Sequence, residues 1–172
     1  MKDGTLETVE GRPALRFKRH YAHPVKQVWH AVSIPEQLEY WFPAAVQWQP
    51  EAGEKIDAHG MHGKVLTVEP PNRLAWEFNA DFYNFELTET TQATNLTFLH
   101  VFDLAVPTAQ TAAGWDVYLA KLDALLAGQP VSDKTAFADW DNLHEYYAAE
   151  FGVDPTPGRR FGAQLQDRLG LV

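Results

Sequence analysis

Between Val46 and Leu104 the chain repeats one pattern: alternating apolar and polar residues, then a turn, with no helical period in between. Leu74, Trp76 and Phe78 alternate with Ala75 and Glu77; Tyr83, Phe85 and Leu87 alternate with Asn84 and Glu86; Leu96, Phe98, His100 and Phe102 alternate with Thr97, Leu99 and Val101. A period of two places each set on its own face of a strand. Turn signals fall at Glu51-Ala52-Gly53, Gly60 to Gly63, Pro70-Pro71-Asn72 and Thr90 to Asn95, so five strands fit. Connections this short join strands antiparallel, since a parallel crossover needs about a dozen residues or more. A sheet with one apolar face needs a cover. After Pro107 the chain supplies one long helix, with Trp115, Tyr118, Leu119, Leu122, Leu125 and Leu126 on one face and Asp116, Lys121 and Asp123 elsewhere, closed by Gly128 and Pro130.

Upstream, Leu15, Phe17 and Tyr21 alternate with Arg16, Lys18 and His20, a further strand, which Thr5 to Val9 can join across Gly11-Arg12-Pro13. Val25, Val28, Trp29 and Val32 form the stripe of a short helix opened by Pro24. Ser33 and Glu36 read as a capping box for a second short helix, faced by Leu38, Trp41 and Phe42 and ended by Pro43. Beyond Gly128, Phe137, Trp140, His144, Tyr147 and Phe151 recur at helical spacing, then Phe161, Leu165 and Leu169, with Asp154-Pro155-Thr156-Pro157-Gly158 as the break. The expected organisation is a domain over residues 1–128, with 1–13 adding a strand, and a helical extension over 129–172. Four large aromatic residues in that extension, Trp140, Tyr147, Phe151 and Phe161, need burial, so it is expected to dock on the domain or on a homodimer partner.

Composition removes several chemistries. The sequence has no cysteine, which excludes thiol nucleophiles, thiolate metal sites and disulfides. Fourteen Lys and Arg against 23 Asp and Glu give a net charge of −9, a sign that opposes nucleic acid and anionic membranes. With no membrane-length apolar run and no signal-peptide pattern at the start, the expectation is a cytoplasmic protein. There is no GxGxxG, GxxxxGK[ST] or GxSxG, so nucleotide-cradling loops and a nucleophile elbow are not expected, and no cofactor is implied. His59-Gly60-Met61-His62 invites a zinc reading, but no third ligand has diagnostic spacing; a glycine turn with positive φ at Gly60 and Gly63 is the expectation, and no metal.

The order strand, two short helices, meander and long helix resembles the helix-grip fold of START and Bet v 1-like proteins. The segments LRFKRHYAHPVKQVWHAV (15–32), PEQLEYWFP (35–43), GKVLTVEPPNRLAWEF (63–78), TNLTFLH (94–100) and GWDVYLAKL (114–122) sharpen that. Together they resemble the activator of heat-shock-protein-90 ATPase homologue family, within the polyketide cyclase and lipid-transport (SRPBCC) superfamily, over about residues 14–128. The resemblance implies an α+β fold in which a curved antiparallel sheet wraps a long C-terminal helix. It also implies a space between them, lined by Phe17, Trp76, Phe78, Phe85, Phe98, His100, Trp115, Tyr118 and Leu119. The same side chains read equally as a packed core.

Three polar residues stand out against that lining. His100 holds an inward phase between Phe98 and Phe102, suited to a hydrogen bond, to general base chemistry or to a structural role. Arg19 shares the phase of Phe17 and Tyr21; a buried guanidinium needs an acceptor, either Asp103 or a ligand anion. Tyr118 offers a phenol from the helix. Three functions follow in order: a binding module for a hydrophobic or aromatic small molecule; a stress-related chaperone-partner module; and a cyclase, dehydratase or hydrolase with His100 as base and Arg19 or Tyr118 steadying an oxyanion.

Overall fold

The computed structural model describes residues 2–44, 46, 48, 50–58, 61–104 and 106–171, the side chains of 57, 58 and 61 excepted. The chain divides into a sheet unit, residues 4–104, and a helical unit, residues 105–172 with 1–3.

In the sheet unit, β1 (Thr5–Val9) and β2 (Arg12–Tyr21) are joined by Glu10 and Gly11, at φ 49° and 79°. Two left-handed residues give the twist that closes a two-residue hairpin. The five strands expected downstream are β3 (Lys55–Ala58), β4 (Met61–Glu69), β5 (Arg73–Phe78), β6 (Asp81–Thr90) and β7 (Ala93–Val101). They complete one antiparallel sheet in the order β1-β2-β7-β6-β5-β4-β3. The turn expected over Thr90 to Asn95 is tighter, since Thr90 pairs with Ala93 and only Thr91 and Gln92 lie between.

Helix α1 (Val25–Ser33) buries Val25, Val28, Trp29 and Val32, the expected stripe, and lies against β6 and β7. Ser33 does not cap the next helix. Its hydroxyl donates back to the Trp29 carbonyl at 2.7 Å, inside the last turn of α1, and the residue preceding α2 (Pro35–Leu38) is Ile34, with no side-chain cap. Trp41 and Phe42 lie beyond that single turn. The Trp41 indole donates to the Ala31 carbonyl at 2.8 Å and the Trp48 indole to the Ser33 carbonyl at 2.9 Å. Carbonyls that the end of α1 leaves without helical partners thus tether both rings.

Gly63 corrects another expectation. It lies within β4 opposite Phe78, outside the positive-φ region. A Cβ there would meet the Glu77 carbonyl oxygen and come within 2.8 Å of the Phe78 ring, so this glycine serves a close approach, not a turn. His59, Gly60 and the Met61 side chain lie outside the described residues, and with them the histidine turn.

In the helical unit, α3 (Thr108–Leu126) is followed by α4 (Asp133–Ala136), a 3-10 turn (Phe137–Asp139), α5 (Trp140–Phe151) and α6 (Thr156–Leu169). Asp116 and Lys121, read from the sequence as lying off the apolar face of α3, are also buried. The Tyr147 hydroxyl of α5 donates to Asp116 Oδ2 at 2.8 Å, and Lys121 Nζ donates to Asp133 Oδ1 at 2.6 Å. The α3 helix is enclosed on this side because α5 packs along it. Thr156, Pro157 and Gly158, expected as linker, form the first turn of α6. Gly158 and Gly162, one turn apart, receive the rings of His144 and Trp140, which stack at 5.2 Å and 10°. Among the described residues no helix is long and apolar enough to cross a membrane.

Candidate functional site

Strand register sorts one face of the sheet into rows. Leu15 pairs with His100, His100 with Tyr83, Tyr83 with Trp76, and Trp76 with Val65. The next row runs Phe17, Phe98, Phe85, Leu74 and Val68. A third pairs Arg19 with Leu96 and Leu96 with Leu87. Residues directly opposite on one face are the closest side-chain neighbours in a sheet, so aromatic residues in register must touch.

They do so in two stacks. Trp76 lies on Tyr83 at 5.2 Å and 7°, and Tyr83 lies on His100 at 4.3 Å and 13°. In the second row Phe85 stacks on Phe98 at 4.7 Å, and Phe98 on Phe17 at 6.3 Å. Trp76 joins the rows through Phe85 at 5.6 Å. The two tethered indoles and the Phe42 ring meet the same surface edge-on: Trp48 and Phe42 against Trp76 at 5.7 and 5.9 Å, Trp41 against Phe85 at 6.0 Å. Phe17, Phe85 and Phe98 are fully buried, and Phe78 is half-buried at the end of β5.

The first stack ends on a carboxylate. Asp81 opens β6 on the phase of Tyr83 and Phe85, and its Oδ2 lies 2.9 Å from His100 Nε2. The Asp81 carboxylate also faces the Tyr83 phenol. Burial pushes the His100 imidazole below its ordinary value; hydrogen bonding and charge from Asp81 oppose that, and the Arg12 guanidinium adds to it. Burial, followed by the charge of Asp81, raises the Tyr83 phenol well above the usual tyrosine range. The result is a neutral, desolvated imidazole oriented by a carboxylate, a group suited to polar recognition or proton transfer.

Of the sequence candidates, Phe17, Trp76, Phe85, Phe98 and His100 gather on this face. Arg19 is buried on it too, but its partner Leu96 lies four positions along β7 from His100, about 13 Å at strand spacing. Asp103, weighed as an acceptor for Arg19, lies beyond the opposite end of β7, because antiparallel pairing brings the start of β2 to that end. Trp115, Tyr118 and Leu119 belong to the helical unit, where Tyr118 meets Trp115 at 5.9 Å and Phe137 at 5.6 Å. Burial raises the Tyr118 phenol. Sequence reasoning missed Asp81 and Tyr83 as polar members. The available signal was an acidic residue on the inward phase of an aromatic strand.

A family model described as "Activator of Hsp90 ATPase homolog 1-like protein" matches residues 22–127. The chain belongs to this family. This member of the activator of Hsp90 ATPase homolog 1-like family is similar in structure to CalU16 from Micromonospora echinospora. That crystal structure is 22% identical, with a TM-score of 0.70, over 86% of this chain and 96% of the other. A protein of unknown function from Enterococcus faecalis, EF2215, has a TM-score of 0.71 at 15% identity, over 87% and 90% of the two chains. DynU16, described as a putative protein in the dynemicin biosynthetic locus, is 26% identical with a TM-score of 0.58, over 68% of this chain and 48% of its own. No curated protein matches the chain. The family member's fold class is therefore helix-grip-like α+β, with its seven-stranded antiparallel sheet and long helix α3.

Proposed function

We propose that the protein binds a hydrophobic or aromatic small molecule on the face of the sheet that carries Phe17, Trp76, Phe85, Phe98 and His100. The observation that carries this reading is the stack Trp76–Tyr83–His100, in which an apolar aromatic surface ends on an imidazole held by Asp81. Ligand sites of this kind combine an apolar wall with a few fixed polar groups; the wall supplies affinity and the polar end supplies orientation. The position of DynU16 in a biosynthetic locus supports a small molecule as the ligand.

Native mass spectrometry of the gently purified chain, with tryptophan emission followed as candidate ligands are added, tests it. A co-purified apolar molecule, with emission that responds to it in the wild type and less in Trp76→Leu, is the expected result. A chain that carries nothing, and whose emission ignores a broad panel of apolar and aromatic compounds, would refute it.

The Asp81-held imidazole favours a second reading, proton transfer to or from the bound molecule by His100. It requires that His100→Gln lose turnover of an identified ligand while retaining its binding.

A further inference from the structure

At the His100 end of the sheet, the β5–β6 hairpin turns through Asn79 and Ala80, both in the left-handed region at φ 53° and 70°. Neither is glycine, and Ala80 lacks the side-chain hydrogen bonds with which asparagine compensates there. A turn of this shape needs support from outside, and two contacts supply it. The Asn79 amide donates to the His62 carbonyl of β4 at 3.1 Å. From the other side Arg12, first residue of β2, donates from Nη2 to the Ala80 carbonyl at 2.8 Å, a contact spanning 68 residues of sequence. The same Nη2 stands 4.0 Å from Asp81 Oδ1, while Asp81 Oδ2 engages His100 at 2.9 Å.

We propose that Arg12 is the positioning residue of the site: by holding the Ala80 carbonyl and facing the Asp81 carboxylate, it fixes Asp81 on His100 Nε2 and so determines which ring nitrogen carries the proton. The proposal deepens the reading above, which makes His100 the polar end of the ligand site. A carboxylate on Nε2 selects the tautomer with its proton there, since only an N–H can donate to it. Guanidinium suits the task because one planar fork offers several donors in fixed directions, here to a carbonyl and toward a carboxylate. Among the described residues, the charged and titratable groups that bear on the ring include Asp81 and Tyr83 from β6 and Arg12 from β2. Arg12 thus has two separable effects on His100: through Asp81 it orders the ring, and through its own charge it disfavours the imidazolium.

The test needs no ligand. In the full chain labelled with 15N, the two ring nitrogens of His100 are followed by long-range proton–nitrogen correlation between about pH 5 and 9, with assignment by His100→Gln. The wild type is expected to show one neutral tautomer, protonated on Nε2. Arg12→Ala is expected to lose that signature and give averaged nitrogen shifts. Arg12→Gln keeps a donor for the Ala80 carbonyl without the charge; it is expected to keep the tautomer and move the titration midpoint upward, and it remains readable if Arg12→Ala does not fold. Wild-type nitrogen shifts in Arg12→Ala, or an unmoved midpoint in Arg12→Gln, would overturn the proposal. A chain that binds no small molecule yet shows these shifts would sink the binding reading and leave the role of Arg12 standing.

Discussion

Two glycines in helices of the same unit respond oppositely to one added methyl group. Gly114 in α3 and Gly158 in α6 both lie outside the positive-φ region, so alanine fits either backbone. In a helix interior the exchange gains about 1 kcal/mol from propensity. At Gly114 the nearest side-chain atom to the new Cβ is Tyr118 Cε2, one turn along the same helix, at 4.0 Å, an ordinary contact, so the full gain of about 1 kcal/mol is expected. At Gly158 the new Cβ would fall on the ring of His144, against Nε2, Cδ2 and Cε1. That ring is 2% exposed and stacked on Trp140, itself 1% exposed, so neither can withdraw without moving α6. Forcing a methyl group into such a site costs about 3 kcal/mol at the upper end of the usual range, and because Gly158 lies in the first turn of α6 only part of the interior gain offsets it, which leaves Gly158→Ala about 2 to 3 kcal/mol less stable than wild type. The two variants then differ by about 3 to 4 kcal/mol, or about 6 to 16 °C in melting temperature for a chain of this size. Thermal and urea unfolding of both full-length variants, followed by near-UV circular dichroism, measures the gap. Gly158→Ala melting at or above the wild type would refute the account of α5 and α6 as a close-packed pair.

Tyr147→Phe removes the hydroxyl that donates to the buried Asp116 carboxylate and should cost about 1.5 to 3 kcal/mol, read as a lower urea midpoint at unchanged slope. The lowered His100 value gives a pH dependence of known sign. Below about pH 6.5 the unfolded chain takes up a proton that folded His100 refuses, so stability falls as pH drops through that value and levels off below the folded one. His100→Gln should flatten that part of the profile, and an unchanged profile in urea titrations at several pH values would contradict the burial of a neutral ring.

Strands were legible because each buries one phase: in β7, Leu96, Phe98 and His100 lie under 5% exposed, as their alternation requires. What escaped depended on partners far along the chain. Gly63 and Gly158 look like turn residues until their neighbours are known, and those neighbours, Phe78 and His144, come from other elements. Ser33 satisfied a capping pattern, yet a hydroxyl at the end of a helix can also bond back four residues, and that local competitor won. Asp81 reads as an ordinary hairpin carboxylate in sequence. Only the β6–β7 register brings it to His100.

The strand order has a consequence for the chain as it is made. Every neighbouring pair in the sheet is a sequential hairpin except β2 with β7, whose first contacts join Tyr21 to Thr94 and Ala14 to Val101. Ribosomes add about 5 to 20 residues per second, so β2 waits on the order of 4 to 16 seconds before its second partner exists. During that interval its inner edge, with Leu15 and Phe17, has unpaired backbone groups and uncovered apolar surface, the properties that invite pairing with a foreign strand. The interval ends when β7 emerges, so the hazard of misassembly is concentrated in the N-terminal hairpin during synthesis.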